Sequence, residues 1–229
     1  MLLRARSLPP YRRFRKKSKI SEAPCRHAAG GFFIYCNEVI FLLATKGYVR
    51  ERALQYAERW AFRRNPLFYN FTEIGGDCTN FVSQAILAGS CVMNYTPDFG
   101  WYYLSPEDRA PAFTGVEAFW SFFTGAPDFV TANGGIGPFG REVEAAAVEP
   151  GDVVQLANAS GDYYHTLLVS SVRNGEIYVA AHSNDAYNRA LSGYPAASAR
   201  FLHIEGVRFE TPETPCFEAL YNARALPMR

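Results

Sequence analysis

The spacing of hydrophobic and polar positions changes part-way along the chain. Between residues 48 and 88, apolar side chains recur every three or four positions, which is the period of a helix with one buried face. After residue 150 the apolar runs become short and rich in Val, Ile and Tyr, which is typical of β-strands. Helices precede strands, so the order predicts an α+β domain with a C-terminal antiparallel sheet.

Two helices are predicted in the first half. The first covers about 48–64 and ends at Asn65-Pro66, because the residue before a proline avoids the helical conformation. The second covers about 78–88 and follows a Gly-Gly turn and Asp77, a favourable N-cap. The other predicted elements are a short helix near 115–124 and strands at Val153–Leu156, Tyr164–Val172, Glu176–Ala181 and Arg200–Phe209.

Cys78 occupies the first position of the second predicted helix. A thiol there experiences the positive end of the helix dipole, which favours the nucleophilic thiolate, whereas the neighbouring Asp77 acts in the opposite direction. The backbone N–H of Cys78 is a natural oxyanion donor. Asn80 and Gln84 follow on the same helix, and either satisfy the preceding turn or contact a substrate amide.

A candidate base comes from a β-hairpin in the second half. Asn174-Gly175 predicts a two-residue type I′ turn, and the resulting register sets His165 opposite Asn184, with His182 on the diagonal of the same face. If Cys78 packs against that face, it can attack a carbonyl carbon while His165 accepts the thiol proton. His182 or Asn184 would then orient the imidazole. The chemistry is acyl transfer from an amide to water, and it requires no metal or cofactor.

For several residues the sequence is also compatible with a purely structural role. Cys78 itself is compatible with a small buried core residue. The odd cysteine count, without a CxxC spacing, indicates neither a disulfide scaffold nor a common zinc module, and the remaining cysteines are expected to be inert. His203 is expected to be a satisfied core histidine. Trp101 and Tyr102 are expected in the core or in a substrate cleft.

Charge is distributed unevenly along the chain. Residues 1–19 carry eight basic and no acidic side chains, whereas the remainder has 15 basic and 22 acidic ones. The body is therefore not expected to bind nucleic acid. Residues 1–31 are predicted to be a disordered leader and 32–229 one domain. The longest apolar run, 32–44, is too short for a transmembrane segment and lacks a convincing signal-peptide layout.

Several short segments agree in order and spacing with one bacterial family. They are Tyr56-Ala57-Glu58-Arg59-Trp60, Arg64-Asn65-Pro66, Gly76-Asp77-Cys78-Thr79-Asn80-Phe81-Val82-Ser83-Gln84, Met93-Asn94-Tyr95, Gly100-Trp101-Tyr102-Tyr103, Gly151-Asp152-Val153-Val154, His165-Thr166 and Ala181-His182-Ser183-Asn184-Asp185. Through them, residues from about 48 to 205 resemble the putative amidase domain family.

A more distant resemblance links Asp77-Cys78 and His165 to the NlpC-type and CHAP-type cell-wall hydrolases. It implies a papain-like core, with Cys78 as nucleophile, His165 as base and a third residue on the next strand. The NlpC pattern implies His182, whereas the CHAP pattern places its polar residues at positions 182 and 184. The third member stays open between His182 and Asn184.

The resemblance implies a cysteine amidase or peptidase that acts on peptide or peptidoglycan-type substrates through a thioester, outside the cell or at its envelope. Two alternatives use the same fold: a catalytically silent peptide-binding or cell-wall-binding module, and a thiol acyltransferase with an amine acceptor. An added amine distinguishes transfer from hydrolysis. The oligomeric state is left open.

Overall fold

The computed structural model describes residues 43–210 and 215–224, which all belong to one compact unit. The predicted leader, 1–31, lies outside these residues. The helices are α1 (Arg50–Trp60), α2 (Cys78–Ser90), α3 (Pro111–Thr114), α4 (Val116–Phe123), α5 (Pro127–Asn133) and α6 (Phe217–Tyr221). The strands are β1 (Ala44–Lys46), β2 (Gly137–Val143), β3 (Val153–Ala157), β4 (Tyr163–Arg173), β5 (Glu176–Ala181), β6 (Ala186–Ala190) and β7 (Ser198–Phe209).

The seven strands form one antiparallel sheet in the order β1-β7-β3-β4-β5-β6, with β2 paired to β7 beside this path. The twelve-residue β7 pairs with β1, β2 and β3. Helices precede most of the strands along the chain, so the predicted α+β class is confirmed. Within the described ranges, no helix is long and apolar enough to cross a bilayer.

Each face of the sheet buries its own hydrophobic core. On one face, α2 is buried over all thirteen residues and packs with sheet residues such as Leu168 and Leu202. On the other face, Leu156, Leu167 and Val179 form a smaller core, which loop residues partly cover. A residue on β4 therefore faces either the helices or the second core, according to its position along the strand.

The predicted hairpin is confirmed at its turn and changes register farther along. Asn174 and Gly175 have φ values of 53° and 78°, and Arg173 pairs with Glu176. A β-bulge between Val169 and Ser171 then shifts the pairing by one residue, and β5 ends at Ala181. Because a one-residue shift reverses which side chains share a face, the predicted pairing of His165 with Asn184 is wrong.

A disulfide corrects the expectation for two of the cysteines. Cys91 follows α2 directly in a left-handed conformation, and it is bonded to Cys216, which precedes α6. Their Cα atoms are 5.4 Å apart, although 125 positions separate them in sequence. The spacing of the cysteines in the sequence does not predict this disulfide. The disulfide attaches α6 to the end of α2, the helix that is buried along its whole length.

We expect the double variant Cys91→Ser/Cys216→Ser to unfold at lower denaturant concentration, with a loss of roughly 2–5 kcal/mol, because the cross-link restricts the unfolded chain. Urea unfolding with and without reductant measures this effect. Reductant should lower the stability of the wild type to that of the variant and leave the variant unchanged. Equal stability of oxidised wild type and variant would contradict a stabilising disulfide.

Candidate active site

The Cys78 thiol lies at a helix start that no side chain caps. Cys78 is the first residue of α2, is a free cysteine and is 7% exposed. Its Sγ lies 3.8 Å from Thr79 Oγ1. The side chain of Asp77, the N-cap residue, makes no capping hydrogen bond, and the first N–H of the helix region with a backbone acceptor belongs to Phe81. The first-turn N–H groups are thus available to an external acceptor.

A hydroxyl contact joins this helix start to β4. Thr79 Oγ1 lies 2.9 Å from Thr166 Oγ1, which also accepts a hydrogen bond from Gln155 Nε2 at 3.2 Å. Cys78 and His165 each come directly before one of the two contacting threonines, so their backbones are neighbours. Both threonines stand in the segments that resemble the amidase family, but their contact could not be predicted, since it depends on how α2 packs against the sheet.

The side chains of Cys78 and His165 are not joined by a hydrogen bond. His165 pairs with Leu156, which belongs to the second core, and directly opposed residues point to the same face. Thr166, its neighbour, faces α2 instead. The imidazole is therefore directed toward the face of the sheet opposite the helices.

The imidazole of His165 is buried without a polar partner. The residue is 7% exposed, and its Nε2 has no hydrogen-bond partner among the residues described. Its ring lies near those of Tyr164 and Tyr194, at centroid distances of 6.1 and 6.0 Å. Burial, and secondarily the charge of Arg189, lowers the pKa of His165 from 6.5 to about 4. His165 is consequently neutral at pH 7.

His182 forms a buried pair with Asp77, directly before the thiol. His182 Nδ1 lies 2.7 Å from Asp77 Oδ2, and Nε2 lies 2.9 Å from the Trp60 carbonyl oxygen. Both residues are 1% exposed, and the imidazole stacks on Phe81 at 4.0 Å. Through these two contacts, His182 joins the residue before the thiol to the last residue of α1 and holds the start of α2 in place.

Further contacts surround the Asp77 carboxylate. It accepts hydrogen bonds from the Phe71 N–H and from Asn80 Nδ2, and Arg64 Nε lies 3.3 Å from it. The Asp77 N–H donates to Ser183 Oγ at 2.7 Å. Arg64 and Ser183 stand in the segments that resemble the amidase family, but these contacts were not predicted, because Ser183 and Asp77 are more than a hundred positions apart.

Arg64 also extends this network to the loop after β5. Its two terminal nitrogens donate to the two carboxylate oxygens of Asp185, at 2.8 and 2.9 Å. The loop that follows His182 is therefore held to the segment between α1 and α2. The start of α2 and the end of β5 form one hydrogen-bonded unit.

Among the residues that the structure describes, neither candidate for the third member is hydrogen-bonded to His165 Nε2. Both ring nitrogens of His182 are engaged elsewhere, on the helical face of the sheet. Asn184 is exposed, with φ 122°, in the loop after β5. The β-bulge in β4 explains the difference from the predicted arrangement, because the prediction assumed an unbroken register.

Other predicted site residues have structural partners. Asn80 donates to the Tyr69 carbonyl oxygen and to Asp77, but its buried Oδ1 has no hydrogen-bond partner among the described residues. Gln84 accepts from Tyr56. Asn80 therefore stays a candidate for contacting a substrate amide. Trp101 is fully buried and donates to Ser83 Oγ. Tyr102 is 8% exposed and donates to Asp108. Trp101 thus lies in the core, which was one of its two expected locations, whereas the assignment of Tyr102 to a substrate cleft stays a prediction.

His203 has the satisfied environment that the sequence predicts. Its Nδ1 lies 2.8 Å from the carboxylate of Asp152, which is fully buried. Arg50 contacts the same carboxylate at 2.6 Å. This cluster is separate from the hydrogen-bonded network around Cys78.

Comparison with known proteins supports the grouping inferred from the motifs. A family model described as putative amidase domain matches residues 47–204. The chain belongs to this family. It is 31% identical over 153 residues to a Bacillus subtilis protein named uncharacterized protein YjcM, covering 63% of this chain and 33% of that relative. It is 26% identical over 166 residues to uncharacterized protein YhbB of the same organism, covering 69% of this chain and 50% of that relative.

The chain thus spans between a third and half of the length of these curated relatives. No solved structure matches it significantly. At a coarse level the family description indicates an amide hydrolase.

We expect His182→Phe to destabilise the fold by roughly 3 kcal/mol, because the phenyl ring keeps the stacking but removes a hydrogen-bonding partner from a fully buried carboxylate. Urea unfolding measures the loss. Arg141→Ala is the control, since it removes one partner of an exposed ion pair with Glu205 and should cost less than about 1 kcal/mol. Equal effects of the two substitutions would contradict the structural role of His182.

A second expectation concerns pH and follows from the lowered pKa of His165. The unfolded chain binds more protons at this residue between about pH 6.5 and pH 4, so protonation favours unfolding as the pH falls through that window. From about pH 7.5 to about pH 4.5, wild type should lose roughly 2 kcal/mol more stability than His165→Gln. Urea unfolding at both pH values tests this, and identical losses would show that His165 is not buried as a neutral base.

Proposed function

We propose that this family member is a cysteine-dependent amide hydrolase with Cys78 as nucleophile and His165 as general base. The observation that supports this proposal is a free thiol at a helix start that no side chain caps. The next residue, Thr79, contacts Thr166 on β4. The same strand bears His165, whose buried Nε2 has no hydrogen-bond partner among the described residues. The coarse amidase description of the family supports the same reaction class. We further propose that the arrangement of α2 and β4 is papain-like.

In the proposed reaction, neutral His165 accepts the Cys78 thiol proton as Sγ attacks the substrate carbonyl carbon. The first-turn N–H groups of α2 stabilise the oxyanion. The imidazolium then protonates the leaving amine, the C–N bond breaks, and a thioester forms on Sγ. Water, deprotonated by His165, hydrolyses the thioester. Catalytic hydrogen bonds often form only in the substrate complex, and the proposal requires His165 to turn toward Cys78 there.

His182 has a positioning role in this proposal. The contact of His182 with Asp77 fixes the residue directly before Cys78. His182 therefore helps to position the thiol and does not orient the imidazole of His165. Asn184 is the candidate left for orienting His165 after the ring turns, because it is exposed in the loop after β5.

We propose peptide amides, including cell-wall peptides, as substrates. The Cys91–Cys216 disulfide supports an oxidising location, outside the cell or at its envelope, where such bonds persist. A binding module without turnover is the second candidate, favoured by the missing hydrogen bond between Cys78 and His165.

The test combines thiol labelling with cleavage of peptidoglycan-derived peptides, read by mass spectrometry. Cys78→Ala should abolish cleavage, and His165→Gln should reduce it by roughly 100-fold or more, as expected for loss of a general base. His203→Gln is the matched control, since that histidine contacts Asp152 away from the thiol. An added amine that captures the acyl group would indicate transfer instead of hydrolysis.

Iodoacetamide reaction at Cys78 should be faster than at Cys25 and should fall in His165→Gln. Cleavage that persists in Cys78→Ala would overturn the nucleophile assignment. Absence of cleavage together with slow labelling of Cys78 would favour the binding module.

A further inference from the structure

Arg189 lies on the same sheet face as His165. It pairs with Val179 on β5, which in turn pairs with Val169 on β4, and directly opposed residues share a face. Val169 and His165 are an even number of positions apart on β4, so they also share that face. The loop after β6, which contains Tyr194, packs over this second core.

A buried polar atom without a partner lies here beside a second polar group. His165 Nε2 has no hydrogen-bond partner among the described residues, and the His165 ring lies 6.0 Å from that of Tyr194, whose buried hydroxyl interacts with Arg189. A buried polar group without a hydrogen bond typically costs about 1–3 kcal/mol, so native proteins seldom retain one without a reason. The unpartnered nitrogen beside this hydroxyl and guanidinium indicates a site that accepts a polar ligand.

Arg189 supplies a cation at this place. Its guanidinium lies over the Tyr194 ring at 4.1 Å and donates to the Gly193 carbonyl oxygen at 2.9 Å. Within the ranges that the structure covers, no carboxylate lies in ion-pair distance of Arg189. A guanidinium has five N–H donors in a planar fork that fits a carboxylate, and one hydrogen bond leaves most of them available.

We propose that Arg189 and the Tyr194 hydroxyl form a carboxylate-binding subsite beside His165, on the sheet face opposite α2, which selects substrates that carry a free carboxylate. The inference rests on the proposed function and names its substrate class. The positive charge of the Arg189 guanidinium favours an anionic ligand, and the Tyr194 hydroxyl can donate a second hydrogen bond to it. Arg189 is thus a specificity-determining residue.

Occupancy of the subsite also affects the base. The charge of Arg189 contributes, after burial, to the lowered pKa of His165. A bound carboxylate would offset this charge and make the imidazole a stronger base when a correct substrate is present. The subsite thereby couples recognition to the proposed proton transfer.

The test compares two N-acetyl dipeptides that differ only in a free α-carboxylate or an α-carboxamide. Binding is measured on the Cys78→Ala protein by calorimetry and by the ¹⁵N signals of His165. We expect the carboxylate to bind roughly tenfold or more tightly, as for a charge-assisted contact of about 1.4 kcal/mol, and to raise the pKa of His165. Arg189→Gln should remove both effects and leave carboxamide binding unchanged.

Arg173→Gln is the matched control, because Arg173 also lies 4.1 Å over a tyrosine ring, that of Tyr178. It should retain the preference. An equal affinity for both peptides in the Cys78→Ala protein, or a preference that survives Arg189→Gln, would overturn the subsite. Failure of the proposed function is distinguishable, since it would remove cleavage and rapid thiol labelling without altering carboxylate-dependent binding.

Discussion

The buried pair of Asp77 and His182 is the interaction on which the start of α2 depends. A carboxylate and an imidazole that are each 1% exposed are stable in the interior only with hydrogen bonds in place. Here hydrogen-bonding groups contact the carboxylate from three directions, and the second imidazole nitrogen lies 2.9 Å from the Trp60 carbonyl oxygen. The aspartate therefore orients the helix start from outside the helix, instead of capping it. As a consequence, the Cys78 thiol is held in place beside the first-turn N–H groups of α2, which no side chain caps.

The two faces of β4 divide the candidate site. Thr166 contacts the nucleophile's helix, whereas His165, one position earlier, faces the second core. Such a division lets the sheet bury the neutral imidazole of His165 away from the pair of Asp77 and His182. Two histidines with different partners can thus lie near one thiol, one holding the helix and the other free to accept a proton. Burial by the loop that carries Tyr194 keeps the His165 ring neutral.

Local pattern was sufficient for much of the fold. Helical periodicity predicted α2 from its first residue, and Asn174-Gly175 fixed the hairpin turn, because each depends on neighbours in sequence. Strands β1, β2 and β6 and the register beyond the bulge were missed, since they depend on pairing with other segments of the chain. For the site, Cys78 at a helix start could be predicted. The one-residue register shift at the β-bulge could not be predicted from the sequence. It determines which side chains lie on the same face of the sheet as His165.

A low pKa for His165 changes the mechanism that fits this arrangement. A preformed thiolate–imidazolium pair needs a histidine that is protonated near neutral pH, and burial opposes that state. General-base transfer during the attack is consistent with a neutral ring instead. The positive charge of Arg189 reinforces the neutral form until an anion approaches it. In this arrangement the substrate's own charge would help to set the basicity of the group that activates the thiol, so recognition and proton transfer would depend on the same arginine.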